Sequence, residues 1–419
     1  MSKLAGKPRR IVVFGPFDGT NLGNEATLQA ALYHFHRIQP DAKLICVCTG
    51  ARATAATYDI RAIPICRTYI SFWTPPRNWL GKTARTLCLV LGEPIRWLEG
   101  FLTLWGTDLF IVPGTGLLTD AYGLTSWGPY SLLRWSVIAK LCLCRVAVVS
   151  VGAGPFHSLK GKLCVRMLLS LADFRSYRDE STVRCLQRIG IQADRDRVFP
   201  DLAFSLPKEA TTGDSRLGPG AVIGLGVMEW ANRYSKHGSN EAAQMAYLQA
   251  VAKMAGWLLE RGYKIRLLIG DFSDGGAKQA FLQMLGQRNS ECIIDEPIHS
   301  VEDLLSQIVA TDAVLATRFH NVLLALLCER PVISISFHYK CDSLMAAMGM
   351  SEYCLNSGDV EAEKLIETFR RLEANADALK PLIKEKIKRF RDALDQQYRL
   401  VLGGTHGGSW TTLTTRAPR

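Results

Sequence analysis

Arg318 and His320 stand two residues apart in ATRFHNVLLALL, between an apolar strand-like run and a strongly apolar helical run. A guanidinium is a fixed fork of donors that matches carboxylate or phosphate, and an imidazole titrates at roughly pH 6.5, so it can pass a proton near neutrality. Alternation along a strand would point both side chains to one side. Lys340 follows the next strand-like run, PVISISF, and an adjacent strand would bring its ammonium to the same sheet edge. Together these residues read as an anion clamp plus an acid. His338 stands two residues before Lys340 and competes with His320 for the acid's part, because the same alternation puts it on Lys340's side.

Three glycine-bearing loops complete the set. GPFDGTNLGNEAT supplies Asn21, Gly23, Asn24 and Glu25, PGTGLL supplies Gly114, Thr115 and Gly116, and VGAGP supplies Gly152 and Gly154. Glycines let a ligand approach the backbone and Asn side chains orient hydroxyls, so these are the expected binding loops. None has the GxGxxG spacing of a dinucleotide site.

Those loops need elements to hold them. IVVFG reads as a strand, and the run that follows places Leu28, Leu32 and Phe35 on one helical face. Apolar strands then alternate with helices along most of the chain, the signature of α/β parallel sheets covered on both faces. In such sheets anions bind at the carboxyl ends of strands, where loop amides and helix N-termini offer free donors. The 419 residues exceed what one hydrophobic core usually organises, so two Rossmann-like, doubly wound domains are expected. The boundaries fall at residues 9–207 for the first and 221–374 for the second, with an aperiodic linker at 208–220. An amphipathic helix is expected over 375–402 and a disordered tail over 403–419. In RDEST, Ser181 reads as a helix cap.

The excess of Lys and Arg over Asp and Glu gives +11, which favours a polyanion, an anionic membrane or a phosphorylated substrate. No zinc-finger spacing or RNP-like strand accompanies it, so nucleic acid is not expected as a partner. The absence of CxxC points to no metal ribbon, and the basic start runs straight into a strand, which predicts a cytoplasmic protein. Between residues 72 and 105, Trp73, Trp79, Trp97 and Trp105 interleave with Arg77, Lys82, Arg85 and Arg96. Two readings stand side by side there: peripheral contact with the inner face of a membrane, or a buried helix with ordinary surface cations.

The order NLGNEA, PGTGLL, VGAGP, RDEST, PDLAF and RFH followed by PVISISFHYK resembles the polysaccharide pyruvyl transferase family across Ile11 to Tyr353. The resemblance implies two lobes in a GT-B-like arrangement, phosphoenolpyruvate as co-substrate, no cofactor or metal, and a sugar or lipid-linked oligosaccharide acceptor. It implies His320 as general acid, with Arg318, Lys340 and Arg178 holding the donor and the glycine loops on the acceptor side. Where relatives carry GDEA this chain has Gly23, Asn24, Glu25 and Ala26, and an amide cannot act as a carboxylate base. Either Glu25 takes that part or Asn24 only holds the sugar. Two other functions share these features: a nucleotide-sugar glycosyltransferase of the same outline, and a noncatalytic binding factor of envelope biosynthesis.

Overall fold

The computed structural model describes residues 9–66, 78–125, 127–207, 217–229, 241–286 and 290–403. Trp73, Arg77, the side chains of Lys82 and Arg85, the linker over 208–216 and the tail beyond 403 lie outside the described residues.

The first sheet contains β1 (Arg10–Gly15), β2 (Lys43–Cys48), β3 (Arg61–Pro64), β4 (Leu109–Pro113), β5 (Arg145–Val151), β6 (Phe174–Tyr177) and β7 (Arg197–Val198), all parallel. Their spatial order is β3-β2-β1-β4-β5-β6-β7. The connecting helices are α1 (Leu22–Ile38), α2 (Ala51–Tyr58), α3 (Trp79–Leu91), α4 (Glu93–Leu104), α5 (Pro129–Leu141), α6 (Leu159–Leu171) and α7 (Glu180–Arg188). Alternation decides which side chain faces which layer. Ile11 and Val13 of β1 join the core shared with α1, while Val12 and Phe14 join the one under α4, α5 and α6.

The second sheet repeats the winding. Its strands β8 (Val222–Gly226), β9 (Lys264–Leu267), β10 (Ile293–Ile294), β11 (Ala313–Ala316), β12 (Val332–Ser336) and β13 (Cys354–Asn356) run in the order β10-β9-β8-β11-β12-β13. Between them lie α8 (Glu241–Glu260), α9 (Gly275–Leu285), α10 (Val301–Val309), α11 (Phe319–Leu327) and α12 (Tyr339–Ala347). In each sheet the strand order reverses once, between β1 and β4 and between β8 and β11. A crevice opens at the carboxyl ends there, because the two following helices leave to opposite faces.

The last helix, α13 (Ala362–Gly403), is 42 residues long and ties the lobes together. It begins at Ala362 rather than at 375. Its first half was obscured in the sequence because the apolar stripe there packs on the second lobe, where Phe369 meets Trp257 and Tyr263. Pro381 sits inside it without ending it. Its far half crosses to the first lobe, where Tyr398 stacks on His34 at 4.3 Å and its hydroxyl meets Ser205 Oγ at 3.2 Å. Gln397 meets Ser150 Oγ at 3.0 Å. Asp179, not Ser181, caps α7, its carboxylate accepting from Thr182 N at 2.6 Å.

Tyr398 is fully buried where the two lobes share this helix, so Tyr398→Ala is expected to cost about 3–5 kcal/mol. Urea unfolding checks this, with Lys384→Ala on the exposed face of the same helix expected to stay within about 0.5 kcal/mol of the parent.

Candidate active site

The two crevices face each other across one cleft of about 500 Å³. From the first lobe it is lined by Asn21 and Asn24 after β1, Thr115 and Gly116 after β4, Gly154 after β5 and Arg178 after β6. The second lobe contributes Asp271 after β9, Arg318 and His320 after β11, and His338 and Lys340 after β12. Every one of these positions follows a strand's carboxyl end.

Strand alternation is not what aligns the cationic residues. β11 ends at Ala316 and β12 at Ser336, so Arg318 and His338 are helix N-caps, while His320 and Lys340 occupy the first turns of α11 and α12. Two helix starts side by side at a sheet edge bring the residues together instead. His338 Nδ1 accepts from Lys340 N at 3.4 Å, which makes it the capping histidine.

His320 reaches across the cleft and packs on the backbone of Gly23, where a methyl group would run into the ring. Its Nε2 is buried without a hydrogen-bond partner among the described residues. Burial, together with Arg178, Lys340 and Arg318 and against the attraction of Asp201, pushes its pKa down to about 4. Lys340 lies over Gly116, and burial followed by Arg178 pushes it down to about 7. His338 is pushed down to about 3 by burial, Lys340 and Arg178.

Arg178 occupies the space beside Gly152, with its guanidinium 4.8 Å over the Phe319 ring. Nη1 donates to Asp201 at 3.1 Å and Nε lies 3.5 Å from the Asp179 carboxylate, while Nη2 is buried with no hydrogen-bond partner among the described residues. Burial opposes its charge, and Asp201 and Asp179 outweigh that effect. One donor of a permanent cation thus stands unmatched beside the cleft, a costly arrangement without an acceptor to receive it.

Arg318 is differently placed. Its Nε and Nη2 grip the fully buried Asp274 at 2.7 and 2.5 Å, and Nη1 lies 3.6 Å from Asp271. Asp271 in turn accepts from Asn21 Nδ2 at 2.7 Å. Around this pair the main chains of the lobes bond directly, Leu22 N to Gly270 O at 3.0 Å and Phe272 N to Thr20 O at 3.1 Å. The guanidinium therefore pins the seam. Burial pushes the Asp271 carboxyl up, but Arg318, Ser273 and Asn21 outweigh it and hold the group below its ordinary value.

Several glycine-loop residues do more than leave room for a ligand. Gly23 and Gly152 are small because His320 and Arg178 fill the space beside them, and Gly116, which does line the cleft, has Lys340 against it. Gly114 backs onto Thr27 and Leu202, away from the cleft. Glu25 is buried and turned inward, accepting from Asp18 N at 3.1 Å, Gly19 N at 2.9 Å and Tyr58 Oη at 2.9 Å. It shapes the loop and cannot reach an acceptor hydroxyl. Asn24 does line the cleft, its amide donating to Pro16 O at 3.3 Å. Sequence reasoning overlooked Asp271 and Asp274, although their GDFSDGG loop directly follows β9; it also gave Asp201 of PDLAF no part as the partner of Arg178.

Because the folded imidazole binds its proton only near pH 4 and an unfolded one near 6.5, the unfolded chain holds more protons between those values. Stability is therefore expected to fall as pH drops from 6.5 to 4, with His320 contributing at most about 1.4 kcal/mol per pH unit. Urea midpoints across that range should show a shallower acid limb in His320→Gln. Gly23→Ala, which drives a methyl into the ring, is expected to displace the imidazole and shift its NMR titration upward towards the ordinary value.

A profile of the polysaccharide pyruvyl transferase family matches residues 21–339. No curated protein sequence matches the chain. Among solved structures, S. aureus MnaA with UDP is 12% identical with a TM-score of 0.58, covering 94% of this chain and 95% of that one. Anabaena HepE in complex with UDP is 11% identical with a TM-score of 0.58, covering 94% and 100%. The lipopolysaccharide outer core galactosyltransferase WaaB is 14% identical with a TM-score of 0.54, covering 94% and 99%. At such identities the likeness shows the fold, that of GT-B glycosyltransferases and epimerases. The family match spans most of the chain and contains the cleft residues from Asn21 to His338, and on it the protein belongs to the polysaccharide pyruvyl transferase family.

Proposed function

We propose that the cleft binds phosphoenolpyruvate and transfers its pyruvyl group to two hydroxyls of a sugar, forming a ketal and releasing phosphate. The observation that supports this reading is the set that lines the cleft: the Lys340 ammonium, Arg178 with its Nη2 unbonded among the described residues, and His320 with its Nε2 unbonded among them. A small polyanion with a carboxylate and a phosphate would satisfy the first two groups. An acid beside it is what an enol ester needs, because C3 must gain a proton before C2 can accept a hydroxyl.

In the empty cleft the imidazole is neutral at pH 7, which is wrong for an acid. Arrival of the donor reverses this, since its negative charges offset Arg178 and Lys340 and stabilise the imidazolium. Protonated His320 delivers its proton to C3 as the first hydroxyl adds to C2. The C2–O bond to phosphate then breaks, the electron pair leaves on phosphate, and the second hydroxyl closes the ketal. Of the two hydroxyl protons released, one leaves on phosphate and one reloads the imidazole. On this reading Asp18, a carboxylate that lines the cleft and is not ion-paired among the described residues, relays them, while Asp271 stays committed to Arg318 and Asn21. Lys340 and Arg178 neutralise the charge that gathers on the departing phosphate.

His338 is the weaker acid candidate. Charging it would require a proton on Nδ1, the atom that caps α12. Arg318, held by Asp274 and Asp271, acts on this reading by positioning the loop that carries His320 rather than by gripping the donor.

His320→Gln is expected to lower phosphate release from phosphoenolpyruvate in the presence of acceptor by about 10²–10⁴, while the donor Kd changes little. His338→Gln should retain most activity. Thermal shift compares phosphoenolpyruvate with a panel of nucleotide sugars, and stabilisation by a uridine diphosphate sugar alone would replace this reading with glycosyl transfer. Lys340→Met is expected to abolish donor binding yet raise Tm at pH 6, because it removes an ammonium that burial destabilises below its pKa of about 7.

A further inference from the structure

We propose that the outer face of the first lobe, formed by α4 and α6 on either side of the buried α5, docks on an anionic lipid bilayer. α5 contacts both neighbours and is itself almost wholly covered. The outer stripes of those neighbours are not. Ile95, Leu98, Leu102 and Trp105 recur along α4 with helical spacing, and each is more than half exposed. On α6, Leu159 is 81% exposed, Leu163 57% and Met167 47%. Large exposed apolar side chains repeating along the outer stripes of two helices that flank the same buried helix mark an interaction site rather than the scatter normal for a soluble protein.

Charge selects the occupant. α6 carries Lys160, Lys162 and Arg166 among its apolar residues and has no acidic residue. On α4, Glu93 is tied to Arg96, Arg134 and Tyr130, and Glu99 is partly covered. Asp173, just beyond α6, is paired with Lys140. Arg166 also borders a second concavity, shared with Arg175, Arg195 and Gly190. Arg175 is paired with Asp196 there, whereas Arg166 and Arg195 make no ion pair among the described residues; Asp194 on the rim is bonded to Gln187. Apolar side chains flanked by lysine and arginine, with unpaired guanidiniums at their border, match a bilayer whose interior takes the leucines and whose phosphates meet the cations. No helix among the described residues is long and apolar enough to cross a membrane, so the contact lies on the surface.

The face also leads to the cleft. α6 starts at Leu159, shortly after Gly154 and Pro155, which line the cleft. A sugar carried on a membrane lipid would arrive at that rim. This last step rests on the reading of the cleft given above, whereas bilayer binding does not.

The test is sedimentation of the whole protein, without substrates, with vesicles of phosphatidylcholine alone or mixed with phosphatidylglycerol. The protein is expected to pellet with the anionic vesicles and to be released as salt rises. Lys160→Gln with Arg166→Gln should lower vesicle affinity about 25-fold, at about fivefold per cation. Leu98→Ser with Leu102→Ser should weaken binding while leaving the donor-induced thermal shift unchanged, which shows that the variant is folded. Failure of the parent to pellet, or equal pelleting of parent and both variants, would overturn the proposal. So would a dimer in sedimentation velocity that the serine pair dissolves, because the face would then be an interface between copies. Loss of pyruvyl transfer with vesicle binding intact would count against the cleft reading alone.

Discussion

The structure is organised around the cost of holding positive charge out of water. Arg178, Lys340 and His320 converge where two parallel sheets turn their carboxyl ends toward each other, and burial alone drags the lysine and histidine toward their neutral forms. Such a cluster survives only with fixed counter-charges. Asp201, itself buried, holds one edge of Arg178, and the buried Asp274 holds Arg318. What these carboxylates leave uncovered belongs to cationic side chains that face the space between the lobes.

The same constraint sets the join between the lobes. His320 and Lys340 belong to the second lobe but lie against Gly23 and Gly116 of the first, so the charge cluster exists only while the halves are in register. Three features keep them there: the backbone bonds between 20–22 and 270–272, the Asn21–Asp271 hydrogen bond, and α13 crossing from Phe369 on one lobe to Tyr398 on the other. An apolar core that runs without interruption from α1 into the second sheet supports all three. Relative motion of the lobes would separate His320 from Arg178 and Asp201, which set its proton affinity from the other side of the seam.

Much of this was legible in the sequence, and the pattern of success follows interaction range. Alternating apolar strands and helical faces are local, so β1, α1, β11 and β12 could be read from a few residues each. Two-residue strands such as β10 carry too little periodicity to delimit, and the first half of α13 merged with its surroundings. RFH and Lys340 do line the cleft, but helix starts rather than strand alternation align them. The glycines were misread more deeply. A glycine after a strand looks like room for a ligand, and nothing nearby in sequence shows that the room at Gly23 is taken by a residue nearly three hundred positions later.

Asn24 shows how a local substitution acquires meaning from that frame. Its amide donates to the Pro16 carbonyl, and its oxygen has no hydrogen-bond partner among the described residues. A carboxylate at this place would face the carbonyl oxygen of Pro16 without a donor to offer, and would add negative charge beside Asp18, which lines the same wall. The amide avoids both penalties and keeps an acceptor for a hydroxyl, but it cannot take the hydroxyl's proton. Glu25 is no substitute, since moving it outward would strand the amides of Asp18 and Gly19 and the hydroxyl of Tyr58. Of the other carboxylates that line this part of the cleft, Asp271 is paired with Arg318 and hydrogen-bonded by Asn21. Asp18 is held more loosely, its carboxylate accepting only from neighbouring Thr20 among the described residues, through Oδ1.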